Sequence, residues 1–480
     1  MGIGNLEQRI ENFGAEKIFI AVFIIFGLMI LFMRPPYRLM DEPVHFARAW
    51  QISEGIFLSP LKIYDGEKNF GWENRSPEAA TEKCYSASVP SSLVPAEFIF
   101  NIEDDSTKVK FSFDELKKFL SAPLNVDERE EGLIPNTGVY PPLTYFPQAL
   151  AAFIGRILNL NAGIIFYLMG LSGLIFVAAC VYWSMKFLPE ARQLIFVLAM
   201  LPMFLIEAAS TSVDAVTFGV CLFGTAWLLS LRNSTEKFSR KEIFGLIILS
   251  IMLACSKSVY GTILLLYFFI PRERIGSLKK FLSLGIMILF LNLFTSLAWT
   301  ELSVGMTGVE LATIEQYLGV KNVDVAAQKI FILEHPTEFF DALLYSLSFA
   351  EIYYWFSFMG VWGANGEFFM PPMFYIAYGI TIIFFALSNG LSLKLGERGI
   401  LIFAAFVSTL TLFVYDYLIW NAVGAKFIRG VQGRYFIPIA LMIFGALSFL
   451  PPMRHKNLIA LAAGVFSGVM MLLANFSAFY

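Results

Sequence analysis

The chain has 480 residues, of which 57% are hydrophobic and 15% charged, with a formal net charge of -3. That composition is too apolar for a soluble domain and makes the chain a polytopic membrane protein, expected to be all-α. The slight negative charge argues against a nucleic-acid partner, which would need a basic face to neutralise phosphates.

The amino-terminal stretch holds Glu7, Arg9, Glu11, Glu16 and Lys17 before the first apolar run, Ile18 to Met33, and no small-residue cleavage site follows that run. It reads as a retained anchor. Later apolar runs read as helices, because an open strand cannot satisfy its backbone in lipid. Spans are expected near 17-33, 163-185, 193-209, 214-231, 243-256, 258-270, 281-299, 371-388, 400-420, 435-450 and 457-475. This gives roughly eleven crossings, within a range of about 10–13, although several runs fall short of the ~20 residues that one crossing asks for. The 243-270 stretch must cross twice or dip in and return.

Basic loops set the orientation. Lys186 with Arg192, then Arg232, Lys237, Arg240 and Lys241, then Arg272, Arg274, Lys279 and Lys280 all fall on one side if the amino terminus is cytoplasmic. The 34-143 segment is then a large first extracytoplasmic loop with its own helices, such as the one over Asp114 to Leu120. It closes on Tyr140-Pro-Pro-Leu-Thr-Tyr145, read either as a turn feeding an interfacial helix over 149-158 or as a plain loop before a short span. The 300-370 segment forms a second extracytoplasmic part, with 339-361 read as re-entrant or interfacial; that run is also apolar enough to span, and a crossing there would invert everything after it. The whole of 1-480 is one integral membrane domain.

Chemistry-bearing residues cluster where the first span ends. Asp41, Glu42, His45 and Arg48 follow Arg34 within a short stretch, and such groups are costly to hold near hydrocarbon. The alternative is that Asp41 and Glu42 merely cap the helix that starts near Pro43. Glu207, Asp214, Lys257, Asp416 and Arg434 sit at ends of spans that the orientation turns to the same face, so they should converge beneath the Asp41 loop. Gly430-Val-Gln432-Gly433-Arg434-Tyr435 offers a flexible backbone, amide donors and a guanidinium for an anion. The alternative there is loop glycine with an arginine snorkelling at the interface. Carboxylates above cations suit a reaction between a lipid phosphate and a hydroxyl. Cys84 is the lone cysteine of the 34-143 segment, and neither cysteines nor His45, His335 and His455 show metal-site spacing.

The string Asp41-Glu42-x-x-His45-Phe46-x-Arg48-Ala-x-x-Ile52-x-x-Gly55 resembles the start of the DUF2142 family of bacterial integral membrane proteins. Tyr140-Pro-Pro-Leu143, Ser210-x-Ser212-x-Asp214, Ser256-Lys257-x-x-Tyr260 and Val431-Gln-Gly-Arg-Tyr435-Phe-x-Pro438 resemble the same family in its order. That family is in turn similar to the GT-C glycosyltransferases, and Asp-Glu-x-x-His-Phe is similar to the first-loop motif of protein O-mannosyltransferases. The resemblance implies an inverting transfer of sugar from a polyprenyl (undecaprenyl) phosphate carrier to an envelope glycan, such as O-antigen, outside the bacterial inner membrane. Asp41 is then the catalytic base and Glu42 its partner or an acceptor ligand. His45, Arg48, Tyr140, Asp214, Lys257, Tyr260, Gln432, Arg434 and Tyr435 are the expected substrate and phosphate contacts. No cofactor is required; a divalent cation beside Asp41, Glu42 and His45 is compatible with the sequence, though three such groups in five residues more often serve hydrogen bonding. A transporter or flippase of lipid-linked glycan intermediates, or a non-catalytic assembly subunit, remains open beside the enzyme.

Overall fold

Each predicted apolar run folds as a helix, as a backbone with no lipid partner requires. The computed structural model describes residues 3–63, 83–94, 112–306, 322–364, 366–451 and 453–480. The remaining parts of the 34-143 and 300-370 segments lie outside the described residues.

Among the described residues, six helices are long and apolar enough to cross a membrane: Ala15–Met33, Ala162–Phe187, Val213–Leu231, Leu278–Gly305, Leu395–Ile419 and Lys456–Phe479. A seventh candidate is broken, with Pro189–Ala199 and Pro202–Ala208 meeting at 81°. Pro202 accounts for the break, since it drives Leu201 into an extended conformation at ψ 132°. The other predicted spans are helical but short. Arg240–Ser256 has 17 residues, the 3-10 helix Ser258–Phe269 has 12 and Pro372–Leu387 has 16. Gly433–Ile439 and Ala440–Gly445 complete them. By length and composition, the protein is a mostly helical polytopic membrane protein with six or seven candidate spans.

Local chemistry fixes several helix starts. Ser212 accepts the amide of Asp214 at 3.1 Å, and Ser239 forms a reciprocal capping box with Glu242. The last long helix is capped from far away: the Glu7 carboxylate accepts the amides of Asn457 and Leu458, each at 3.0 Å. The core runs between the long helices, where the Phe19 and Phe196 rings stack with centroids 4.3 Å apart.

The 34-143 segment departs from the all-α expectation. It contains helices Glu42–Ser53 and Phe113–Ser121, but also a three-stranded antiparallel sheet of β1 (Leu61–Ile63), β2 (Lys83–Pro90) and β3 (Arg129–Leu133). Leu61 pairs with Tyr85, and Ser86 with Leu133. A signal was present in the residue types: Tyr85, Ala87 and Val89 alternate with Ser86 and Ser88, the period of a strand. The segment closes as expected on a 3-10 turn, Pro142–Tyr145, leading into helix Phe146–Ile157. The 339-361 run is divided between two helices, Pro336–Phe349 and Glu351–Met359.

Candidate functional site

The first span ends at Met33, and the chain turns back at once. Arg34 and Glu42 make a two-pronged ion pair in which both side chains are almost fully buried; one contact is 2.8 Å. Arg34 also reaches the Ala209 carbonyl at 3.4 Å, which ties the turn to the segment between Pro202–Ala208 and Val213–Leu231. Asp41 precedes Glu42 at φ 61°, a left-handed backbone that breaks the turn and starts the Glu42–Ser53 helix. Its side chain makes no capping bond to that helix. Instead Asp41 accepts from Asn136 Nδ2 at 2.9 Å and lies 3.6 Å from Arg434 Nη2, with its side chain still 18% exposed.

Arg434 is the hub. Its Nη1 donates to Glu207 at 2.9 Å, and its Nε lies 3.7 Å from Asp214 Oδ2. Lys257 stands 3.3 Å from the other Asp214 oxygen, with its ammonium 4.2 Å from the centre of the Tyr435 ring. Each of these residues is delivered by a helix terminus or break. Glu207 lies on the second half of the bent pair, Asp214 in the first turn of Val213–Leu231, Lys257 between two helices, and Arg434 in the first turn of Gly433–Ile439. The expected convergence beneath the Asp41 loop is therefore found.

A cavity of about 420 Å³ occupies this junction. Asp41, His45, Tyr140, Asp214, Lys257, Gln432, Arg434 and Tyr435 line it, and Asp416 joins them from the Leu395–Ile419 helix. Three of the expected site residues do not line it. Glu42 is spent on Arg34. Arg48 donates to Gln51 and the Phe57 carbonyl at 2.6 Å and to the Tyr140 carbonyl at 3.2 Å, so it holds the 134-145 stretch against its helix. Tyr260 donates to the Tyr435 carbonyl at 2.9 Å, behind the cavity wall. Asp41, Glu42 and His45 thus turn to separate partners, and among the described residues no group of three or more His, Cys, Asp or Glu side chains gathers as metal ligands.

Burial favours the neutral forms of His45 and Tyr140. Desolvation brings the His45 imidazole down to about 4, and its Nδ1 is 2.7 Å from the Tyr145 hydroxyl. The same cause pushes the Tyr140 phenol up to about 12. The backbone of the 430-435 stretch is used differently from the expectation of free amide donors. Gly433 N donates to Ser357 Oγ at 2.8 Å, and Tyr435 N to the Gln432 carbonyl at 3.0 Å. What that stretch presents to the cavity is side-chain charge.

Sequence reasoning missed Asn136 and Met40. Asn136 is brought to Asp41 because Thr137 Oγ1 donates to the Val44 carbonyl at 3.0 Å and Trp299 Nε1 to the Val139 carbonyl at 2.7 Å. Met40 Sδ accepts from Gln432 at 3.3 Å. Neither contact has a signal in sequence spacing.

The cavity offers room for a polar headgroup beside apolar walls, with the partly open Asp41 carboxylate near Arg434 and with Lys257 in the same lining. Residues 23–443 match a family of predicted membrane proteins, DUF2142. No curated protein and no solved structure matches the chain. The chain belongs to the DUF2142 family.

Proposed function

We propose that this DUF2142 protein is an inverting, GT-C-like glycosyltransferase that uses a polyprenyl-phosphate sugar as donor and an envelope glycan as acceptor. The supporting observation is a single cavity that collects Asp41, Lys257 and Arg434 from separate parts of the chain. In the proposed step the acceptor hydroxyl gives its proton to Asp41 while its oxygen bonds to the anomeric carbon. The bond from that carbon to phosphate breaks, and the electron pair leaves with the polyprenyl phosphate, whose charge Arg434 and Lys257 stabilise. Glu207 holds Arg434 by the 2.9 Å bond, while the looser approaches to Asp41 and Asp214 leave room for phosphate to compete for the guanidinium. Glu42, paired with Arg34, shapes the turn rather than taking the proton. Asp41, Glu42 and His45 do not converge, so a divalent cation, if required, would enter with the donor phosphate. The reading carries with it about eleven crossings, the short helices included, an inner-membrane location and a cavity facing the periplasm.

A second reading, translocation of a lipid-linked glycan, is favoured by the breaks that carry Glu207, Lys257 and Arg434. The deciding experiment follows labelled sugar from a polyprenyl carrier to acceptor. Asp41→Asn should lower turnover on the order of 100- to 10,000-fold while carrier binding changes little. Normal turnover in a folded Asp41→Asn protein rejects the base. Movement of intact donor across vesicles without any new glycosidic bond supports the transporter instead.

A further inference from the structure

We infer that Asp416 is a specificity-determining residue of this cavity, accepting hydrogen bonds from the hydroxyl groups of a sugar; the inference rests on the glycosyl-transfer reading above. Asp416 lies in the last turn of the Leu395–Ile419 helix and is 5% exposed. Its main-chain carbonyl is occupied by the Trp420 amide and by Asn421 Nδ2, both at 2.8 Å. Its side chain is another matter. Among the described residues, nothing donates to the buried Oδ2. The cations of the cavity are committed elsewhere, Lys257 to Asp214 at 3.3 Å and Arg434 to Glu207 at 2.9 Å.

A buried carboxylate oxygen without a donor is costly, so a native structure that keeps one invites a functional explanation. The free oxygen of that carboxyl group can accept from a hydroxyl or an amine, or bind a metal ion. A metal ion would need further ligands, and no group of three or more His, Cys, Asp or Glu side chains gathers among the described residues. The neighbouring cavity wall is aromatic instead, with Trp299, Tyr415 and Trp420. Aromatic side chains near the Asp416 carboxylate suit a pyranose, which presents an apolar C–H face and a rim of hydroxyl donors. Asp416 therefore reads hydroxyls, on either the donor sugar or the acceptor sugar. A site built to bond a substrate hydroxyl rejects the analogue lacking it by up to ~10⁴–10⁵.

The test uses full-length protein in lipid nanodiscs, titrated with farnesyl phosphate, with farnesyl-phosphoryl glucose, mannose and galactose, and with the methyl glycosides of the same three sugars. Wild-type protein should prefer one sugar, and Asp416→Asn should weaken that sugar's binding about ten-fold or more while farnesyl phosphate binds as before. A loss confined to the phosphoryl sugar assigns Asp416 to the donor; a loss on the methyl glycoside assigns it to the acceptor. Unchanged sugar binding in Asp416→Asn, a matching loss of farnesyl phosphate, or the absence of any sugar preference in the wild type would overturn the inference. Failure of farnesyl phosphate to bind the wild type counts against the carrier reading alone, because the glycoside titration carries no phosphate and still decides Asp416.

Discussion

Asp41 has φ 61°, a region where Asn is among the few non-glycine residues found readily. Asp41→Asn should therefore keep the fold. Glu42, one residue on, is buried against Arg34, and Glu42→Gln leaves a buried guanidinium without its counter-charge, at a cost of about 3–5 kcal/mol. Thermal unfolding in detergent should show a large fall in midpoint for Glu42→Gln and little change for Asp41→Asn; similar midpoints would mean the Arg34 pair is not formed. The adjacency of the two acids is plain in the sequence. Their division of labour is not, because it depends on the turn that folds Glu42 back onto Arg34.

His45 gives a pH prediction at the same scale. Burial lowers its imidazole from the ordinary 6.5 to about 4. Between those values the unfolded chain holds a proton that the folded protein does not, so its contribution to stability is complete above 6.5 and is lost as the pH falls toward 4. The acid-side decline in unfolding midpoint should be steeper in the wild type than in His45→Asn, whereas parallel profiles would contradict a neutral buried His45.

Among the elements, the 3-10 helix Gly433–Ile439 depends most on one residue. A Cβ at Gly433 would come 1.9 Å from the Tyr354 carbonyl oxygen and 2.3 Å from the Phe358 amide nitrogen, so this helix and Glu351–Met359 meet backbone to backbone. Gly433→Ala must push them apart, at a cost at or above the usual ~1–3 kcal/mol of overpacking, and carry Arg434 out of place. Loss of folded protein together with loss of carrier binding is expected, read by size-exclusion profile and by titration; a stable Gly433→Ala protein with unchanged binding would refute this packing account. Sequence inspection marks Gly433 as a loop glycine but not the neighbour it must admit. The small sheet was harder still to foresee, since its strands are short and β2 offers only a few alternating residues. The short helices explain the span count, because Arg240–Ser256 and Ser258–Phe269 divide an apolar run that hydropathy alone treats as two crossings.

For the whole molecule, the legible part was the meeting of charges. Glu207, Asp214, Lys257, Asp416 and Arg434 all lie at ends of apolar runs, and burying such groups in lipid without partners is unfavourable. Glu207, Asp214, Lys257 and Arg434 pair with one another, and Asp416 joins the cavity lining. Which of them pair, and which is left facing the cavity, follows from helix breaks that composition does not reveal. The account as a whole rests on that cavity being the seat of a lipid phosphate. The measurement that tests it most directly is a cryo-electron microscopy structure of the protein in nanodiscs with undecaprenyl phosphate. The phosphate is expected between Arg434 and Lys257, facing Asp41, with the isoprenoid chain leading away into lipid; a phosphate bound elsewhere, with this cavity unoccupied, would contradict the account.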